Sequence, residues 1–552
     1  MNTKVKFQKV FTTVGLLTVA LIGVLVLTGC GDDNGNGNDS WNEALGRYDE
    51  TLVFTIGRAQ RNLAHMPEGD SIEDNPASRF LLDALNIRAD VEWETGEFNQ
   101  RVALAISTGD LPDVLTVNRA MYEEMLESGL LADLTDAWDN YASEQLRERM
   151  ASYNVDVLGV ASDADGRLRA IPTPFIYYEQ TLVWIREDWL DAVGATIPRN
   201  VEELGVLAQQ FIDAGLATQG ATYGFTLGSH VARWYGSSWD ANPVFNAFGA
   251  FPGQWIQRDG QAVYGSIQPE VRETLEVLRD WYASGIIDPQ FAVRSSDERN
   301  GVLIDSVGIH FAPWWAVQFE MAETIRNNPD ANWIALEGLE NANGELHTFR
   351  GTPVVRYTVV RNGFEHPEAI IRALNNVTDW NFRLTEEARA FRAQEFETDT
   401  WFPWFYAPID VTFNHSFENR VRFTYLNEAI ENNSDANLPP HLAGEWEMIR
   451  SYLENGRTDV QGWAEYAAVR EGLRVSISEN VIQNYMAFWG RTASMPARWA
   501  DLETLENETF LRIIMGEEPI EAFDAFVESW LSQGGATITE EVNVEFAAGN
   551  IK

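Results

Sequence analysis

The chain has 552 residues, 45% hydrophobic and 12% aromatic, enough to build large cores in two or more domains and too apolar for bulk disorder. Its 83 acidic residues against 40 basic ones give a formal charge of −43. Such a surface repels nucleic acid and anionic lipid, and disfavours polyanionic ligands unless a local basic patch receives them.

A single cysteine excludes any intrachain disulfide, and it closes the first segment of the chain. Lys4, Lys6 and Lys9 form a basic start, Val10–Leu27 is uncharged and mostly apolar, and the segment ends on Leu27-Thr28-Gly29-Cys30. This order reads as a secretion signal. By length alone the apolar run would also serve as an uncleaved anchor, since about 18 apolar residues nearly span a bilayer. The ending discriminates, because it resembles the lipobox of bacterial lipoproteins. That resemblance implies a signal peptide over 1–29 and a diacylglyceryl thioether on Cys30, holding the protein on the outer face of the cell membrane. Residues 30–50 then read as the lipidated cysteine and a flexible tether, since GDDNGNGNDS at 31–40 has no apolar side chain. Asp32, Asn34, Asn36, Gly37 and Glu43 match the spacing of an EF-hand calcium loop. However, the lipid attachment stands where a helix should precede such a loop, and a stretch so rich in Asn, Asp and Gly meets the pattern easily.

From Thr51 the pattern becomes that of a folded domain. Thr51–Gly57 predicts a strand, Ile72–Leu85 an amphipathic helix, Arg88–Glu94 a strand, Phe98–Ser107 a helix and Asp113–Val117 a short strand. Met121–Ser128 follows as a helix that Gly129 stops. A second alternating stretch has a strand at Leu182–Arg186, helices at Glu187–Val193 and Val201–Ala214, and a long aromatic loop from Gly228 to Tyr264. A strong helix at Pro269–Ser284, a strand at Val307–Phe311, an alternation at Thr352–Arg361 and a helix at Pro367–Val377 complete it. Beyond about residue 416 the pattern is helical, with a turn at Pro439-Pro440. Strands alternating with helices predict an α/β fold with largely parallel pairing in its first part.

Several segments, in this order, carry a family resemblance. They are Ser107-Thr108-Gly109-Asp110-Leu111-Pro112-Asp113-Val114, Gly129–Thr135, Ile171–Pro174, Val183–Leu190, Gly265–Pro269, Gly285–Pro289 and Ile538–Asn543. Together the chain resembles the extracellular solute-binding proteins (family 1) of ABC importers, in the long lipoprotein branch linked to oligosaccharide uptake in Gram-positive bacteria. The resemblance implies a two-lobed, periplasmic-binding-protein-like α/β fold of class II type. Hinge crossings are expected near Pro172–Gln180 and Thr352–Val359, with a mostly helical C-terminal part. Lobe 1 is expected from 51–178 plus about 358–400, and lobe 2 from 179–357 plus much of 401–552. It further implies a monomer that hands an oligosaccharide to a permease and uses no cofactor. One departure is Ala312, where the family often has Gly before Pro-Trp. Asp163-x-Asp165-Gly166 supplies half of the calcium pattern of alginate-binding relatives, and reads as a turn.

Sugar rings present apolar faces rimmed by hydroxyls, so a sugar site needs flat aromatic faces beside a few orienting polar groups. The 20 tryptophans concentrate at Trp234, Trp239 and Trp255, at Trp314 and Trp315, and at Trp401 and Trp404. Each equally suits a core, where large aromatics usually serve. Trp314 and Trp239 are the best candidates for ligand contact; Trp314 and Trp315 end a strand where the cleft is expected, and one of them should face inward. Trp239 sits in a loop of Gly, Ser, Asp and Asn. Trp404 belongs to a stretch that is either a cleft wall or a packed strap. Tyr178 and Glu179 lie in the first crossing. Arg58 and Asn118 directly follow strands, and strand C-termini in open α/β sheets face the ligand crevice. Arg356 interrupts an apolar alternation, where it either pairs with an acid or meets ligand.

The alternative class is a secreted carbohydrate-active enzyme, a glycoside hydrolase or lyase anchored as a lipoprotein. Hydrolysis requires two carboxylates at a defined separation, and no local motif singles out a pair. His-Glu-x-x-His, Gly-x-Ser-x-Gly and phosphate-loop patterns are absent from the sequence. An adhesin would show repeats, and no fixed period is present.

Overall fold

A computed structural model describes residues 46–60, 69–176, 180–232, 237–352, 354–395, 407–409 and 411–549. The leader, Cys30, the tether and the calcium-like spacing of Asp32, Asn34, Asn36 and Glu43 lie outside the described residues.

The first sheet begins with β1 (Leu52–Ala59). Helix α1 (Pro76–Leu85) follows it, starting four residues later than its apolar spacing suggests. The reason is Asn75, whose side-chain oxygen accepts from the Ala77 and Ser78 backbone N–H groups while the Ser78 hydroxyl accepts from the Asn75 N–H. This reciprocal cap, with Pro76 preset for the first helical position, fixes the start. Strand β2 (Ile87–Thr95) pairs parallel to β1, with Leu52 opposite Ile87. Helix α2 (Phe98–Thr108) crosses to β3 (Val114–Val117), which pairs parallel on the other side of β1. Helix α3 (Arg119–Glu127) leaves from the end of β3, and β4 (Ile171–Pro174) is the last strand before the chain departs.

A second sheet begins just after Thr181. Its central strand β5 (Leu182–Arg186) is flanked by β6 (Ile309–Ala312) and β7 (Trp333–Leu336), both antiparallel to it. Alternate side chains of a strand point to opposite faces. Val183 and Ile185 therefore enter one core with Phe211, Phe225 and Leu275, whereas Leu182 and Trp184 enter another with Trp333, Trp446 and Trp463. The C-terminal helices divide between these faces, with residues 426–475 beside Trp184 and residues 495–542 beside Val183.

After strand β8 (Leu346–Arg350) the chain returns to the first sheet. There β9 (Val354–Val360) inserts between β3 and β4, antiparallel to both, giving the order β2-β1-β3-β9-β4. The first core joins side chains such as Phe54, Leu115 and Ile171 to Tyr357, the helix Pro367–Phe382, and Ala407, Ile409, Val411 and Phe413. The two-lobed α/β arrangement expected from the sequence is thus present, the first sheet with one core and the second with a core on each face.

A third crossing follows Phe413. The Tyr153 hydroxyl donates to the Asn414 carbonyl (3.1 Å), and Ser416 bonds Ser152 through both its N–H (2.9 Å) and its hydroxyl (2.7 Å). Just beyond, Glu418 opens the helix Glu418–Asn432, buried between Arg149 of the first lobe (3.7 Å) and His441 (2.8 Å). Burial opposes ionisation of this carboxyl. The hydrogen bond and proximity of His441, with the charges of Arg149 and Arg422, outweigh it and hold the pKa at about 2.

Two further regions depart from the sequence reading. The predicted loop Gly228–Tyr264 contains the helix Asn242–Ala247 and a hairpin of Trp255–Arg258 with Gln261–Tyr264. The hairpin turns at Asp259-Gly260, both with positive φ (51° and 80°), the backbone that Asp-Gly supplies in a two-residue turn. Within the helical C-terminal part, β10 (Val481–Tyr485) pairs parallel with β8 beside the second crossing, a long-range pairing that no local period reveals.

Candidate ligand-binding site

In the first lobe, parallel strands β1 and β3 end side by side, and antiparallel β9 begins at the same edge. A cavity of about 280 Å³ lies at this edge. Arg58 from the end of β1, Asn118 just past β3 and Arg356 near the start of β9 all line it. Three candidates separated by up to three hundred residues are brought to one wall. Arg58 is only 7% exposed, and its Nε and Nη2 have no hydrogen-bond partner among the described residues. Desolvation lowers its pKa, while the charge of Glu94, opposite it in the β1–β2 ladder, acts the other way. Arg356 is exposed, yet enough protein surrounds it that desolvation lowers its pKa too. Asn118 caps α3, its side-chain oxygen accepting from the Met121 N–H at 3.0 Å, so it has a structural role as well as a place on the cavity wall.

The sequence reading missed other parts of this wall. Phe98 and Asn99, in the first turn of α2, line the cavity together with Thr116, Pro408 and Ile409. The signal available for α2 was the one used for Asn118, a helix starting where a parallel strand ends. Gly57 also lines the cavity, and a Cβ there would overlap the Trp93 indole. The missing side chain lets Trp93 lie against β1, flanked by Phe98 (5.8 Å between ring centroids) and the Arg101 guanidinium (5.3 Å).

In the second lobe the first crossing enters at β5, where Leu182 stands opposite Ala312 of β6. Trp239 is tied to that end of the sheet by its N–H, which donates to the Phe311 carbonyl at 2.9 Å. Its φ is 77°, and its half-buried ring rests on His310 (4.4 Å) with the Arg299 guanidinium 5.9 Å away. Trp314 is buried in the core beside Trp184, with Gly472 against its backbone and Cβ and the Arg422 guanidinium 5.6 Å over its ring. Trp315 is partly exposed and meets Phe319 edge-on at 5.7 Å. Of this pair, Trp314 is the inward one, so the ring favoured for ligand contact is instead packed in the core. Tyr178, Glu179, Trp234 and Trp404 lie outside the described residues.

Residues 83–379, more than half of the chain, match the family described as bacterial extracellular solute-binding protein. The chain belongs to that family. A polygalacturonan/rhamnogalacturonan-binding protein of Bacillus subtilis (strain 168), YtcQ, is 21% identical over 84% of this chain and 86% of its own length. Lipoprotein LipO of the same organism is 21% identical over 86% of this chain and 89% of its own. Among solved structures, a substrate-binding protein of Streptococcus pneumoniae, FusA, in complex with kestose superposes with a TM-score of 0.60 at 14% identity. That superposition covers 90% of this chain and 99% of the other, and it shows the shared fold.

In this solute-binding protein, no group of side chains that could hold a metal ion occurs among the described residues. No described helix is long and apolar enough to cross a membrane. The half calcium pattern is a closed turn, in which Asp163 Oδ1 accepts from the Asp165 and Arg167 N–H groups and Oδ2 from Arg169 Nε at 2.7 Å. Those oxygens are satisfied within the chain.

Proposed function

We propose that this protein is the lipid-anchored, extracytoplasmic binding component of an ABC importer, capturing an oligosaccharide between its lobes and delivering it to the permease. The observation that carries the reading is the cavity at the ends of β1 and β3, with Arg58, Asn118 and Arg356 on its wall, in a chain of the solute-binding family. Ligands of open α/β sheets sit at such strand ends. Of the relatives named above, one is a polygalacturonan/rhamnogalacturonan-binding protein and another holds kestose, which supports carbohydrate as the ligand class. Lobes joined by short crossings close around a ligand by hinge motion, and the closed form is what a permease would read. The partly exposed Trp239 and Trp315, near the end of β5 where the first crossing enters, supply aromatic faces of the kind that stack on sugar rings. Anchoring through Cys30 keeps the protein beside its importer, and the sugar leaves unaltered because the protein binds without cleaving.

The test uses the full exported chain carrying Cys30→Ser, titrated with plant and algal oligosaccharides while melting temperature and tryptophan fluorescence are followed. A ligand at 100 times its Kd should stabilise the protein by about 2.7 kcal/mol. Release of reducing ends beyond one per protein would establish the enzyme reading instead.

A further inference from the structure

We propose that Glu320 is a specificity-determining residue of the ligand site, its Oε2 accepting hydroxyl protons from a sugar ring that stacks on Trp239. This rests on the oligosaccharide reading above and adds a polar anchor in the second lobe to it.

The backbone of Trp239 starts the argument. Among the described residues, five other than glycine have positive φ. Asn86, Arg383 and Asn433 end helices and Asp259 sits in the hairpin turn, places where such backbone is ordinary. Trp239, at 77°, occupies neither kind of place. Its N–H donates to the Phe311 carbonyl and its carbonyl accepts from the Gly228 N–H, both at 2.9 Å. These bonds hold a bulky residue in left-handed backbone, where its Cβ is crowded. Strain of this kind clusters at ligand clamps and active sites. The strained residue also stands at the lobe boundary. Thr181, the last residue before β5, donates from Oγ1 to the Ser237 carbonyl (3.2 Å), which ties Ser237–Trp239 to the point where the chain enters the second lobe.

Glu320 is held at the same place. Its Oε1 accepts from the Ser238 hydroxyl at 2.6 Å and lies 3.5 Å from Nε2 of His310, the buried ring on which Trp239 rests. One oxygen of the carboxylate is thus tied to the residue before Trp239 and to the imidazole beneath it. Oε2 has no hydrogen-bond partner among the described residues and is not sealed in the core, since the side chain keeps 12% of its surface open. Other largely buried carboxylates of this fold meet an arginine, as Asp288 meets Arg294, Glu445 meets Arg422 and Glu418 meets Arg149. Glu320 meets none among the described residues. A carboxylate fixed through one oxygen, with the other open beside an aromatic face, suits a ring whose hydroxyls donate while its apolar face stacks. Hydroxyl bonds to an ionised acceptor are also stronger than neutral ones, so the position of a hydroxyl on the ring is read sharply.

The test titrates the Cys30→Ser chain with kestose, maltotriose and xylotriose. The sugar that binds tightest, and its mono-deoxy forms, are then titrated into the same chain with Glu320→Gln. That substitution should weaken the intact sugar by about 10- to 100-fold. At least one mono-deoxy form should lose a similar factor in the parent and much less in the variant, because the missing hydroxyl no longer has its charged acceptor there. A carboxylate that only supports the loop would give every deoxy form the same penalty in both proteins. That result, or unchanged affinity in Glu320→Gln, overturns the assignment while leaving the oligosaccharide reading standing. Should the glutamine variant not fold, Ser238→Ala keeps the carboxylate and releases its Oε1. It should shrink the same deoxy penalty, and an unaltered penalty overturns the assignment equally. Binding of none of the three sugars by the parent overturns both readings.

Discussion

The third crossing offers the sharpest test of how the lobes are joined. Glu418 is 3% exposed, accepts from His441 Nε2 and faces Arg149, which projects from the helix Glu144–Ala151 of the first lobe. Its carboxyl is held at about 2, against an ordinary 4.5. Moving a pKa over that range corresponds to roughly 3 kcal/mol. For an acid whose folded pKa is depressed, this contribution is present above the unfolded pKa and is lost as pH falls through the folded one. It should therefore be complete at pH 7, fall to roughly 1 kcal/mol at pH 3 and vanish below pH 2. The perturbation is Glu418→Gln, which keeps the shape and removes the charge. Urea unfolding of both proteins, followed by tryptophan fluorescence, gives the difference between them at each pH. Any cost of leaving Arg149 unmatched is common to both pH values, so the informative quantity is the change in that difference. It should shrink by about 2 kcal/mol from pH 7 to pH 3. A difference equal at the two pH values would refute the assignment of the ionised carboxylate to this junction.

Other substitutions separate core from site. Trp314→Ala should cost about 3–5 kcal/mol of stability while the folded protein keeps its oligosaccharide affinity, since the ring is buried in the core under the Arg422 guanidinium; an unchanged melt with lost binding would place that ring in the cleft instead. Gly472→Ala brings a Cβ within 2.7 Å of the Trp314 carbonyl oxygen and should cost about 1–3 kcal/mol in urea unfolding. Gly57→Ala should push Trp93 off β1 and so weaken ligand binding, with a change in tryptophan emission; wild-type affinity would show that the Trp93 packing is irrelevant to the cavity. Under the proposed lipid anchoring, Cys30→Ser should leave affinity unchanged and move the protein from the membrane fraction to the medium, because it removes the attachment point of two acyl chains, which together give stable anchoring. Retention of that variant in the membrane pellet would locate the anchor in the apolar leader.

What the sequence discloses about this fold follows the range of the forces involved. Strands β1, β2 and β5 and the helix Val201–Ala214 are written in local periodicity, and their observed bounds lie close to the expected ones. Helix α1 was displaced because a cap overrides an apolar period, and Asn75 followed by Pro76 was available to be read. Strand β10 was not legible, since VIQNY becomes a strand only by pairing with β8, more than a hundred residues earlier. The same division runs through the site. Arg58 and Asn118 could be placed because a topological rule, strand C-termini facing the crevice, converts a position in a strand into a position in space. Arg356 came from a different clue, a charge where the alternation wanted none, and β9 brings it to the same wall by inserting between β3 and β4.

The tryptophans show where such rules stop. A loop of small polar residues gave Trp239 no visible neighbour, yet His310 and Arg299, from β6 and the helix Ser296–Asp305, take its ring. Aromatic faces are used identically by a core and by a sugar site, so residue type alone does not separate them. Burial does separate them. Trp314 is enclosed in a core beside Trp184, whereas Trp239 and Trp315 stay partly exposed, and only a ring with open surface can meet a ligand.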